Sequence, residues 1–62
     1  MNDAEIREAY ASWTVEELFD HHDACLAEAE VQRRWGLQKQ AAECRRRAKQ
    51  YGRALGLRGV RP

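Results

Sequence analysis

The sequence is short of everything that interrupts a helix. Its one proline is Pro62, the last of 62 residues, and only Ile6, Thr14, Val15, Val31 and Val60 are β-branched. Strands draw on β-branched residues, so a sheet has almost no material here. Four glycines, at 36, 52, 56 and 59, leave the first 35 residues without one. Two cysteines, Cys25 and Cys44, allow at most one bridge, which is no disulfide framework. No apolar run approaches the length needed to span a bilayer, and the acidic N-terminal segment does not read as a signal peptide. A reduced, cytoplasmic setting without membrane contact is the expectation.

What is present is alanine, leucine, glutamate, glutamine and arginine, all helix formers. The expected fold class is all-α: an antiparallel helical hairpin with a short extra N-terminal helix, associating into a helical bundle. A chain of this length forms one small domain and buries only about 60% of its unfolded surface, so outside support from a second copy is expected.

Charge is divided along the chain. Residues 1–30 hold nine carboxylates and one base, Arg7; residues 31–62 hold ten bases and one acid, Glu43. Antiparallel arms would set the acidic start of one helix beside the basic end of the next, with pairs such as Glu28 and Arg47 across the seam.

Four segments follow from the pattern. Residues 3–11 read as a short helix with Ile6, Tyr10 and Trp13 on one face. Thr14 with Glu17 three residues later forms a capping box, and Trp13 with Leu18 a hydrophobic staple. This opens a helix over 14–35 with an apolar stripe of Val15, Leu18, His22, Cys25 and Ala29. Gly36 breaks it. A second long helix spans 37–55, where Leu37, Ala41, Cys44, Ala48, Tyr51 and Leu55 recur at spacings of 4, 3, 4, 3 and 4. Cys25 and Ala29 are predicted to face Ala41, Cys44 and Ala48, which allows close helix axes. The bulky residues gather at the far end, where Ile6, Tyr10 and Trp13 fold back over them. Gly56 is the expected C-cap, and 56–62 a mobile tail.

The segment 28–52, "EAEVQRRWGLQKQAAECRRRAKQYG", resembles the helix-turn-helix modules of transposases and bacterial repressors. That resemblance implies Gln38, Lys39, Gln40 and Glu43 at base edges and Arg45 to Arg47 on phosphates. Gln32 and Arg45 stand where the motif takes apolar packing residues. "DHHDAC" offers His21 and His22 at helical spacing from Cys25, but zinc takes at least three protein ligands and the set is incomplete. No metal, no cofactor and no catalytic group are expected.

The functional expectation is a non-catalytic interaction module. It binds, and so regulates or inhibits, a larger macromolecule, most simply a protein, and it self-associates as a homodimer. In size and charge it is similar to accessory inhibitors that phages and plasmids encode. Lys39, Arg46 and Arg53 recur every seven residues away from the seam, with Lys49 beside them, and Trp35 stands next to the turn. These five residues form the candidate partner surface, Trp35 as an anchor and the bases for an acidic protein or nucleic acid. The alternatives are a small DNA-binding regulator using 28–52 and an RNA-binding hairpin dimer.

Overall fold

In a computed structural model that describes residues 1–61, the chain forms three helices. These are α1 (Asp3–Ala9), α2 (Val15–Arg34) and α3 (Gln38–Gly56), with no strand among the described residues. The fold is the expected all-helical hairpin: α2 and α3 pack along each other, and α1 lies against α3.

Both early helices start on a capping box. Asn2 Oδ1 accepts from the Glu5 N–H at 2.9 Å, and Glu5 Oε1 accepts from the Asn2 N–H at 3.2 Å. Thr14 Oγ1 accepts from the Glu17 N–H at 3.1 Å, and Glu17 Oε1 accepts from the Thr14 N–H at 3.0 Å. That donation from Thr14 holds the Glu17 carboxyl below its usual range.

The hairpin turn is Trp35–Gly36–Leu37. Gly36 has φ +74°, and the Leu37 and Gly36 amides donate to the carbonyls of Gln32 and Arg33 at 2.9 and 3.0 Å. This is a Schellman closure, and its left-handed residue is glycine for want of a Cβ. Gly59 (φ +76°) repeats the same device after α3, with Val60 donating to Leu55 and Gly59 to Gly56, both at 3.0 Å. The expected cap at Gly56 is therefore displaced by three residues: Gly56 ends the helix proper, and Gly59 takes the positive φ. Residues 57–60 of the supposed mobile tail form a turn, and Leu57 and Val60 pack on the core; Pro62 lies outside the described residues.

The core sits at the end of the hairpin away from the turn. Ile6, Leu18, Ala54 and Leu55 are buried together, with Tyr10, Trp13, Val15, Phe19 and Tyr51 half-buried around them. The rest of the seam is thin. Ala29, Ala41 and Ala48 are buried, and Cys25 and Cys44, both free thiols, are half-buried between them. Leu37, expected in the seam, is exposed because it belongs to the turn and precedes the first residue of α3.

Among the described residues no ion pair crosses the seam. Glu28 accepts from Gln32 of its own helix at 2.7 Å, and no bond joins it to Arg47, so that expectation is corrected. Alanine and cysteine set the spacing of the helices, and charged side chains beside them bond along their own helix or reach solvent. Ala41, fully buried in the seam, therefore has no room to grow. Ala41→Leu is expected to cost about 1–3 kcal/mol through overpacking, whereas Arg45→Leu, at an exposed position, leaves the thermal midpoint close to that of the parent chain.

Candidate functional site

Five bases and aromatics were singled out by pattern, and the structure divides them. Trp35 and Lys39 stand at the turn, whereas Arg53 lies near the other end of α3, about 21 Å further along at 1.5 Å per residue. Arg46 and Lys49 lie between them, and together with Arg53 they border a small recess beside Met1 and Ile6. Trp35 thus does not share one surface with Arg46, Lys49 and Arg53.

Two of the five have partners within the chain. Arg53 donates from Nε to Asp3 Oδ1 at 2.8 Å, and its Nη2 lies 2.6 Å from the same oxygen. Arg46 Nη1 donates to Glu43 Oε2 at 2.9 Å. The Asp3–Arg53 pair ties α1 to α3 and gives Arg53 a structural task. Among the described residues, Lys39, Arg45, Arg47 and Lys49 take part in no ion pair.

Arg45 and Lys49 rim a groove of about 720 Å³ along one face of the hairpin. Its floor is small and apolar: Ala42, Ala48 and Gly52 from α3. Its opposite lip is His22 and Leu26 from α2, with Leu26 45% exposed. His22 Nδ1 lies 3.0 Å from Asp23 Oδ1. Small residues on α3 are what open this groove, since nothing projects from positions 42, 48 and 52 to fill it.

A second surface lies on α2 itself. Ala24, Ala27, Val31 and Trp35 recur at spacings of 3, 4 and 4, on the side of the helix turned away from α3, and all four are exposed. Val31 is 46% exposed and Trp35 78%. Asp20 lies one turn before Ala24, and Glu28 follows Ala27, so the strip has acidic flanks. The spacing is present in the sequence, but the seam stripe shares the same helix, so neither period stands out.

The opposite face of the hairpin carries an aromatic cluster. The Trp13 ring packs 4.7 Å from His21 and 5.6 Å from Tyr51, with Tyr10 5.2 Å from Trp13. His21 Nδ1 lies 2.8 Å from the Glu17 carbonyl oxygen, and Tyr10 Oη donates to Gln50 Oε1 at 3.3 Å. Burial, and then the neighbouring Tyr51 and Cys25, push the Tyr10 phenol above its ordinary value. Burial and then Cys44 do the same to the Cys25 thiol, against a smaller opposing pull from Arg47. The folded chain therefore holds both protons more tightly than the unfolded one. Their contribution is complete below the ordinary values of 9.0 for the thiol and 10.0 for the phenol, and is lost as pH climbs through the raised folded ones. Thermal midpoints are expected to fall from pH 9 upward, and a Tyr10→Phe/Cys25→Ala variant to show a shallower fall.

His21, His22, Cys25 and Cys44 do not assemble a metal centre: no group of three or more His, Cys, Asp or Glu side chains comes together among the described residues. No helix is long and apolar enough to cross a membrane, among the same residues. Comparison with protein-family models, curated proteins and solved structures returned no match.

Proposed function

We propose that the protein is a non-catalytic helical interaction module that binds a larger protein and so regulates or inhibits it. The observation that carries this reading is Trp35. Among the described residues it is the most exposed large apolar side chain, and it ends an apolar strip that none of them covers. Tryptophan in such a place is a binding anchor, because its large ring leaves water on contact while its few torsions lose little entropy. Acidic flanks at Asp20 and Glu28 favour a partner with a basic rim around an apolar pocket.

Trp35→Ala and Val31→Asp test this. Both lie outside the core, so the helical signal and melting curve are expected to stay near those of the parent chain. Binding to a partner captured from source cells is expected to drop by about 10-fold or more, the scale of a hot-spot residue. Capture that is indifferent to both substitutions removes the strip from consideration.

The unpaired Arg45 and Lys49 favour a second reading, in which the groove face meets nucleic-acid phosphates. A salt series with duplex DNA and structured RNA decides it, since phosphate contacts make affinity fall steeply as salt rises. The helix-turn-helix version fits less well. In that motif the helices cross at about 90–120°, whereas α2 and α3 lie alongside each other from Leu18 and Leu55 to Ala29 and Ala41.

A further inference from the structure

The groove face is unfinished as a protein surface. Leu26 stands 45% exposed on one lip, the floor is alanine and glycine, and Arg45 and Lys49 on the other lip have no ion-pair partner among the described residues. The groove asks for an occupant with an apolar side chain to enter it and carboxylates to meet its rim. The chain owns such an element. On α2, Asp23 and Glu30 stand three residues before and four after Leu26, on the same side of the helix. Helix α2 carries six acids against Arg33 and Arg34, a net of −4. Helix α3 carries six bases against Glu43, a net of +5.

We propose that this face is the interface of a two-fold homodimer in which α2 of each copy lies over the α3 groove of the other. Charge selects the arrangement. Two two-fold operations stack groove face on groove face. An axis across the helices lays α2 on α2 and α3 on α3, bringing like charge to like. An axis along the helices lays α2 on α3 twice, bringing −4 against +5 at both contacts. The same axis preserves height along the hairpin. The register that sets His21 beside Tyr51 at 5.5 Å puts Asp23 level with Lys49 and Gln50. Asp23 of each copy then meets Lys49 of the other, and each Leu26, level with Arg46, enters the opposite groove between Ala42 and Lys49. The product is a four-helix bundle with antiparallel neighbours, the usual way for such helices to complete a core. The strip of Ala24, Ala27, Val31 and Trp35 lies on the far side of α2 and stays open, once per copy.

Sedimentation equilibrium across micromolar to millimolar concentration tests the proposal, with circular dichroism confirming helix content of each variant. The parent chain is expected to be dimeric, more weakly so at high salt. Leu26→Asp is expected to be monomeric with unchanged helicity. Asp23→Lys and Lys49→Glu are each expected to weaken association by about 10-fold or more, and the two together to restore it to within a few-fold of the parent. That rescue arises only if the two positions face each other across the interface, and it stays informative if Leu26→Asp fails to fold. A parent chain that stays monomeric at millimolar concentration overturns the proposal. So does a dimer indifferent to Leu26→Asp, or a double variant no tighter than the single ones. None of these substitutions touches Trp35 or Val31, so the partner-binding reading stands or falls separately.

Discussion

Leu18→Ala is expected to leave little folded protein at room temperature. Leu18 is fully buried, at the centre of a core whose other buried members, among the described residues, are Ile6, Ala54 and Leu55. Truncating a buried leucine to alanine costs about 2–5 kcal/mol, from lost transfer energy plus the void left behind. A folded domain has about 0.05–0.15 kcal/mol of stability per residue, so a chain of this size has only about 3–9 to lose. The thermal midpoint should fall by about 10 °C or more, with loss of far-ultraviolet helical signal near 25 °C. The seam does not compensate, because alanine and cysteine contacts bury little area. Val31→Ala serves as the control: an aliphatic side chain is truncated at an exposed position outside the core and away from the groove face, and a small change is expected. A melt of Leu18→Ala that overlays the parent would mean the core has been placed wrongly.

The second large effect belongs to the C-terminal segment. Deleting 57–62 removes Leu57 and Val60 from the core, removes Gly59 and its Schellman closure, and removes Arg58. Arg58 bridges back across the molecule. Its two terminal nitrogens donate to the carbonyl oxygens of Trp13 and Tyr10, the latter at 2.6 Å, which ties the α1–α2 turn to the end of α3. Partial burial of two aliphatic side chains contributes roughly 1–2 kcal/mol, and charged hydrogen bonds to carbonyls that lose their partner add about 1–3. The deletion is thus expected to destabilise about as much as a core substitution. Arg58→Ala alone should give a smaller loss and free the α1–α2 turn to exchange its amide protons faster. A deletion variant with an unchanged midpoint would mean the turn over 57–60 supports nothing.

These two predictions mark where the sequence was legible and where it was not. The hairpin followed from period alone: Thr14 with Glu17, the break at Gly36, and the 4-3-4-3 spacing through Ala41 and Ala48 are local signals. The thin seam of Cys25, Ala29, Ala41, Cys44 and Ala48 was equally readable, because small residues at heptad spacing have one geometric use. The clasp made by 57–60 was hidden for two reasons. A stretch with two glycines and two arginines among seven residues has the composition of a loose end. Its order comes from contacts with Ile6, Tyr10 and Trp13, some 45 residues away in sequence. The tie between Arg53 and Asp3 was hidden on the same ground, since the two are distant in the chain. On α2 two apolar stripes share one helix, so neither dominates the pattern, and the stripe that fitted a hairpin concealed the one that ends at Trp35.

The joining of Ile6 and Leu18 to Ala54, Leu55 and Val60 also sets a clock on biosynthesis. While the ribosome is still adding α3, the first two helices have capping boxes but nothing to bury their apolar faces against. At about 5–20 residues per second, residue 60 follows residue 18 by roughly 2–8 s. Through that interval Ile6 and Leu18, both buried in the finished fold, lack the residues that cover them. Folding is then not a gradual accretion from the N-terminus but a single late event, triggered when the final turn of α3 and the clasp behind it come clear of the ribosome.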